Sequence, residues 1–121
     1  MRITAPLIAA FALVGGVTGI AAQESGLAGL HEWRRVGSKT CFVDHYHDGS
    51  GSGPSQQAAV AQAVRSWTDF TVLEYGSAWG SYANSISKSV SCNRGASDFT
   101  CSISSIPCKG GAMQAAPKRR R

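Results

Sequence analysis

The segment PSQQAAVAQAVRSWTDFTVLEYG, residues 54–76, decides how this chain is read. Val60, Val64, Trp67 and Thr71, flanked by Ala63 and Phe70, recur at spacings of three and four, the repeat that lays side chains along one face of an α-helix. Pro54 suits the first helical position, with Gly53 or Ser52 as N-cap, and Gly76 supplies a left-handed stop after Tyr75. A helix with one apolar stripe needs a surface to bury it against.

That surface is expected from the flanking segments. Val90 and Cys92 alternate with serines, as do Phe99, Cys101 and Ile103, so two strands flank a turn built from Asn93 to Asp98. Between helix and hairpin, Ser77 is placed to cap a second, shorter helix with a stripe of Trp79, Tyr82, Ala83 and Ile86, ended by Lys88. Before the main helix, Thr40 to Tyr46 sets Cys41, Val43 and His45 on one face and Phe42, Asp44 and Tyr46 on the other, as a first strand would. Leu27, Leu30 and Trp33, within Gln23 to Gly37, fit a short amphipathic helix or a packed arm, whereas DGSGSGP, residues 48–54, reads as a flexible loop. The order β, α, α, β, β predicts an α+β fold: a small antiparallel sheet with two helices packed on one face, Trp67 and Trp79 in the core, and disulfides tying the sheet edges.

The N-terminus carries an address. Arg2 precedes an apolar run from Ala5 to Val14, followed by Gly15, Gly16, Gly19 and the small pair Ala21 and Ala22, the layout of a secretory signal over residues 1–22. Removing it from the 121 residues leaves about 99, room for one small domain over 23–109 and a flexible basic tail over 110–121. A multidomain enzyme is excluded by that length, and 43% hydrophobic with 16% charged residues excludes a disordered chain. Export to the periplasm or medium puts Cys41, Cys92, Cys101 and Cys108 in an oxidising compartment, and their spacings lack the paired knuckles of zinc sites, so two disulfides are expected. Three pairings are open. The hairpin would bring Cys92 to Cys101 and leave Cys41 for Cys108.

The formal charge of +5 is local. With Arg2 in the signal and Lys118, Arg119, Arg120 and Arg121 at the C-terminus set aside, the body holds seven basic and seven acidic residues. Any polyanion or anionic-lipid contact is therefore expected through the tail, weak and non-specific, and sequence-specific nucleic-acid binding is not expected.

Trp67, Tyr75-Gly76, Trp79, Val90-x-Cys92, Phe99-x-Cys101-x-Ile103 and Pro107-Cys108 resemble the pattern of a group of short exported alphaproteobacterial proteins of unknown function. The resemblance spans residues 58–108. It implies a fold and an exported address, and it brings no active-site residue.

No catalytic residue and no cofactor emerge from motif reading. Gly37-Ser38-Lys39-Thr40 lacks the earlier glycine of a phosphate loop, and Asp44, Asp48 and Gly49 match a calcium loop only until Tyr46 at its third position and Ser55 at its last. There is no Gly-x-Ser-x-Gly elbow. The most suggestive cluster is Asp44-His45-Tyr46-His47-Asp48: on a strand, His45 and His47 would share one side about 7 Å apart, near enough to share a divalent metal if His31, Asp48 or Glu32 supplied a third ligand. The expected function is a small exported envelope or periplasmic protein acting as a non-catalytic binding or structural module. The alternative is a metal-binding protein or metal-dependent hydrolase centred on His45 and His47.

Overall fold

In a computed structural model, which describes residues 23–111, the long helix α1 runs over Gln56–Tyr75. Its N-cap is Ser55, whose hydroxyl accepts from the Ala58 N–H at 3.0 Å, so Pro54 precedes the cap instead of opening the helix. The buried stripe is Ala59, Ala63, Trp67, Thr71 and Tyr75, a strict four-residue repeat rotated from the expected one. Val60 and Val64 are half-buried and Phe70 is 46% exposed, because the small alanines face the nearest strand. Gly76 ends the helix at φ 98°, with its backbone held close against Gln23.

Among the described residues, six strands form two three-stranded antiparallel sheets: β1 (Trp33–Val36), β2 (Lys39–Phe42) and β6 (Cys108–Gly110) in the order β1-β2-β6, and β3 (His47–Gly53), β4 (Ile86–Arg94) and β5 (Phe99–Ile106) in the order β3-β5-β4. The described residues are thus α+β with small antiparallel sheets, but with two sheets and, among them, a single α-helix. The sheets are continuous along the chain. β5 passes through Pro107 into β6, and β2 passes through Val43–Tyr46 into β3, so one antiparallel ribbon is bent where both strands are interrupted. The disulfides Cys41–Cys108 and Cys92–Cys101 each join residues directly opposite in register, the first tying β2 to β6 and the second β4 to β5.

The expected second helix is replaced by two 3-10 turns, Ser77–Trp79 and Tyr82–Asn84, and Ile86 opens β4. Gly80 and the extended Ser81 separate them, and packing explains why. Trp79 stacks on Phe42 with centroids 4.1 Å apart, while Tyr82 meets Trp67 edge-on at 5.4 Å. These contacts lie in two different core clusters, one of Phe42, Tyr75, Trp79 and Ile106 beside the Cys41–Cys108 bridge, the other of Ala63, Trp67 and Ile103. One continuous helix would hold both aromatics on a single face.

The expected first strand stops at Phe42, since Asp44 adopts φ 49° and turns the chain. Between Gln23 and Gly37 there is a 3-10 turn, Ala28–Leu30, followed by β1, instead of an amphipathic helix. The preceding arm is tied to the end of α1: the Ser25 N–H donates to Tyr75 O and the Ala78 N–H to Gln23 O.

The largest departure is DGSGSG, expected to be a loop and found as β3. A Cβ at Gly51 would lie 2.5 Å from Ala63 N and 2.7 Å from Gln62 Cβ, and one at Gly49 would lie 2.8 Å from Trp67 Cβ. The glycines are there because α1 crosses the strand at backbone distance. The outer edge of β3 is covered by the same helix, with Gln62 Oε1 accepting from the Ser52 N–H at 2.7 Å and Ser66 Oγ from the Ser50 N–H at 3.4 Å. Among the described residues no helix is long and apolar enough to cross a membrane.

Candidate functional site

The bend in the ribbon gathers all three histidines of the chain around the last turn of α1. His31 closes the 3-10 turn of the arm, and the neighbouring backbone is fixed to the bend by the Val43 N–H donating to Glu32 O at 3.0 Å. His45 sits in the bend, His47 is the first residue of β3, and Glu74 and Tyr75 end the helix. One ligand atom each from His31, His45 and Glu74 lie within 4.8 Å of one another. The rings of His31 and His45 are 4.5 Å apart, those of His45 and His47 5.2 Å.

Hydrogen positions follow from counting donors. Thr71 Oγ1 donates its single proton to Trp67 O at 2.8 Å, so at the 2.8 Å contact with His47 Nδ1 it accepts. His47 therefore carries its proton on Nδ1 and leaves Nε2 bare. That nitrogen has no hydrogen-bond partner, in a residue only 3% exposed, and it lies 3.7 Å from Glu74 Oε2. Ser105, opposite His47 in β5, has the other orphaned side-chain atom among the described residues. The Trp67 indole N–H donates to His47 O at 3.0 Å, so the helix holds this residue by both backbone and side chain. Tyr75 Oη contacts His45 Nε2 at 2.6 Å and His31 Nε2 at 3.0 Å; one phenol has one proton, so at least one of the two imidazoles donates an N–H to it.

The shell is apolar. Phe42 meets His31 and His45 edge-on, and His47 stacks on Tyr75 with Phe70 beside it. Burial pushes the His47 pKa down to about 4 against the pull of Glu74, and lowers that of His45, with His31 adding to the effect. Tyr75 is raised by burial and then by Glu74, which keeps its hydroxyl protonated. An unprotonated imidazole nitrogen beside a carboxylate, as at His47 Nε2, is the form in which these groups bind metals.

His45 and His47 do not share a strand, as the sequence suggests, because the chain bends between them; the bend nonetheless brings their rings together. Of the suggested third ligands, His31 is present, whereas Asp48 is exposed and adjacent to His47 on an alternating strand, which turns it to the opposite face. Glu32 is also exposed. Glu74 was not legible as a ligand: it falls off the predicted apolar stripe, and only its place one residue before the helix-ending Gly76 pair hinted at a special position. Lys118, Arg119, Arg120 and Arg121 lie outside the described residues, as does the segment 1–22. Elsewhere, a cavity of about 440 Å³ opens on the β3-β5-β4 sheet among Asp48, Ser50, Ser89, Ser102 and Ser104, away from the histidines.

Comparison with known protein families, curated proteins and solved structures finds no match to this chain.

Proposed function

We propose that this protein is an exported, non-catalytic binding module whose ligand is a divalent transition-metal ion, held by His31, His45 and Glu74. The observation that carries the reading is the convergence of these three groups, from the arm, the bend and the helix, within 4.8 Å. The donor set narrows the ion. Imidazole nitrogen and carboxylate oxygen suit zinc, copper(II) or nickel, and all four cysteines are bound in disulfides, so no thiolate is available to favour softer ions. The same two disulfides support an oxidising compartment, and hence export, as does the apolar N-terminal run.

Protons compete with the ion for the imidazole nitrogens, so binding weakens as pH falls far enough to protonate the histidines. The test is equilibrium dialysis of the mature protein against Zn2+ or Cu2+, followed by measurement of retained metal. One ion per chain is expected, lost in His45→Ala and in Glu74→Gln. A wild-type protein that retains no ion overturns the reading.

A further inference from the structure

The metal reading leaves the bare Nε2 of His47, which faces Glu74, unexplained. A buried acceptor that faces a carboxylate oxygen across 3.7 Å, with no donor between them, sets two lone pairs against each other. The arrangement is satisfied by a cation. Two donors each about 2.1 Å from one ion at a tetrahedral angle stand roughly 3.4 Å apart, close to the spacing of Nε2 and Oε2. Imidazoles that share such an ion have ring centroids roughly 5 Å apart. The pairs His45–His47 and His31–His45 stand at 5.2 and 4.5 Å.

We propose that His47 is the fourth donor through Nε2, making a closed centre of three imidazoles and one carboxylate for a tetrahedral divalent ion of the zinc class. The proposal rests on the metal reading above and goes further, because four protein donors leave no open position for a substrate or an attacking water. The trio of His31, His45 and Glu74 forms the tight part of the site, and His47 approaches from the Glu74 side. Its tautomer is held by the relay from Nδ1–H to Thr71 and on to Trp67 O, the kind of support that fixes a metal-binding imidazole with the correct nitrogen free. The ion would then fasten the arm, which carries no cysteine, to the strand and helix that carry the core.

Co2+ bound to the full mature chain is the probe. The expected spectrum has the intense visible bands of four-coordinate cobalt, unchanged by added azide or thiocyanate. In a Zn2+ titration of the 15N-labelled wild type, the His47 Nε2 resonance should move while Nδ1 stays protonated. Thr71→Val should weaken binding roughly 10- to 100-fold by freeing the tautomer, and His47→Gln should weaken it further and shift cobalt to the fainter spectrum of higher coordination. If cobalt binds one to one but its spectrum is faint and responds to azide, or if the His47 Nε2 resonance stays in place with zinc bound, the fourth donor is wrong and the three-donor site stands. If the wild type retains neither ion, both readings fall.

Discussion

Replacing Gly51 by alanine separates two accounts of residues 48–54 by the sign of the effect. In a mobile loop, Gly→Ala is expected to stabilise by about 0.4–1 kcal/mol, because it restricts the unfolded chain. In strand β3 the added methyl would meet Ala63 N at 2.5 Å and Gln62 Cβ at 2.7 Å, and the atoms it strikes include helix backbone that cannot rotate away. Ordinary contact needs about 1 Å more, and a gap of that size forfeits roughly a quarter to a half of the dispersion energy along the affected face. That face carries Ala59, Ala63 and Trp67, so the cost falls at about 2–3 kcal/mol, within the range for overpacked cores. For a domain of this size the melting temperature should drop by about 8–24 °C. Circular dichroism melts of the mature protein and Gly51→Ala, both in chelator, measure it directly. A variant that melts at or above the parent temperature would refute the close crossing of α1 over β3.

Two further outcomes follow from the geometry, and a third from the charge distribution of the sequence. The His47 pKa is lowered to about 4 in the folded state against 6.5 unfolded, so the two states bind protons equally well above pH 6.5, and stability declines by about 3 kcal/mol as pH falls from 8 to 4; urea unfolding of the metal-free protein that gives one free energy across this range would contradict it. Closing a loop of 67 residues should contribute more than closing one of 9, about 4 against about 2.5 kcal/mol, so Cys41→Ala with Cys108→Ala should melt lower than Cys92→Ala with Cys101→Ala, and the reverse order in calorimetry would argue against the assignment. Deleting Lys118 to Arg121 should leave the fold unchanged and remove retention on an anionic column at low salt; undiminished retention would place the basic surface on the folded body.

The elements legible in the sequence are those that carry their own periodicity. The helix announces itself through Trp67 and Thr71, and the β4-β5 hairpin through serine alternation around Cys92 and Cys101, because both are set by local periodicity. β3 was hidden because glycine in a strand is a response to the helix lying over it, and nothing local distinguishes Gly49 and Gly51 from a linker. The second stripe misled for a related reason: Trp79 and Tyr82 have helical spacing but serve separate clusters. At the site, the His45 and His47 pair was visible, while Glu74 and the role of His31 depend on the ribbon bend, which brings together residues 43 positions apart.

The pairing of β2 with β6 governs when this molecule can fold. β6 ends at residue 110, so the first sheet cannot close until nearly the whole described chain has been synthesised, and the many pairings between distant segments favour slow folding. During that interval Cys41 is a thiol without its partner, while Cys92 and Cys101 reach oxidant earlier than Cys108 in any N-to-C-terminal passage. Mispairing of Cys41 with either of them is the natural kinetic trap, and escape from it is thiol exchange on the scale of seconds to hours unless an isomerase assists. A cell that makes this protein in quantity therefore needs disulfide reshuffling as much as disulfide formation.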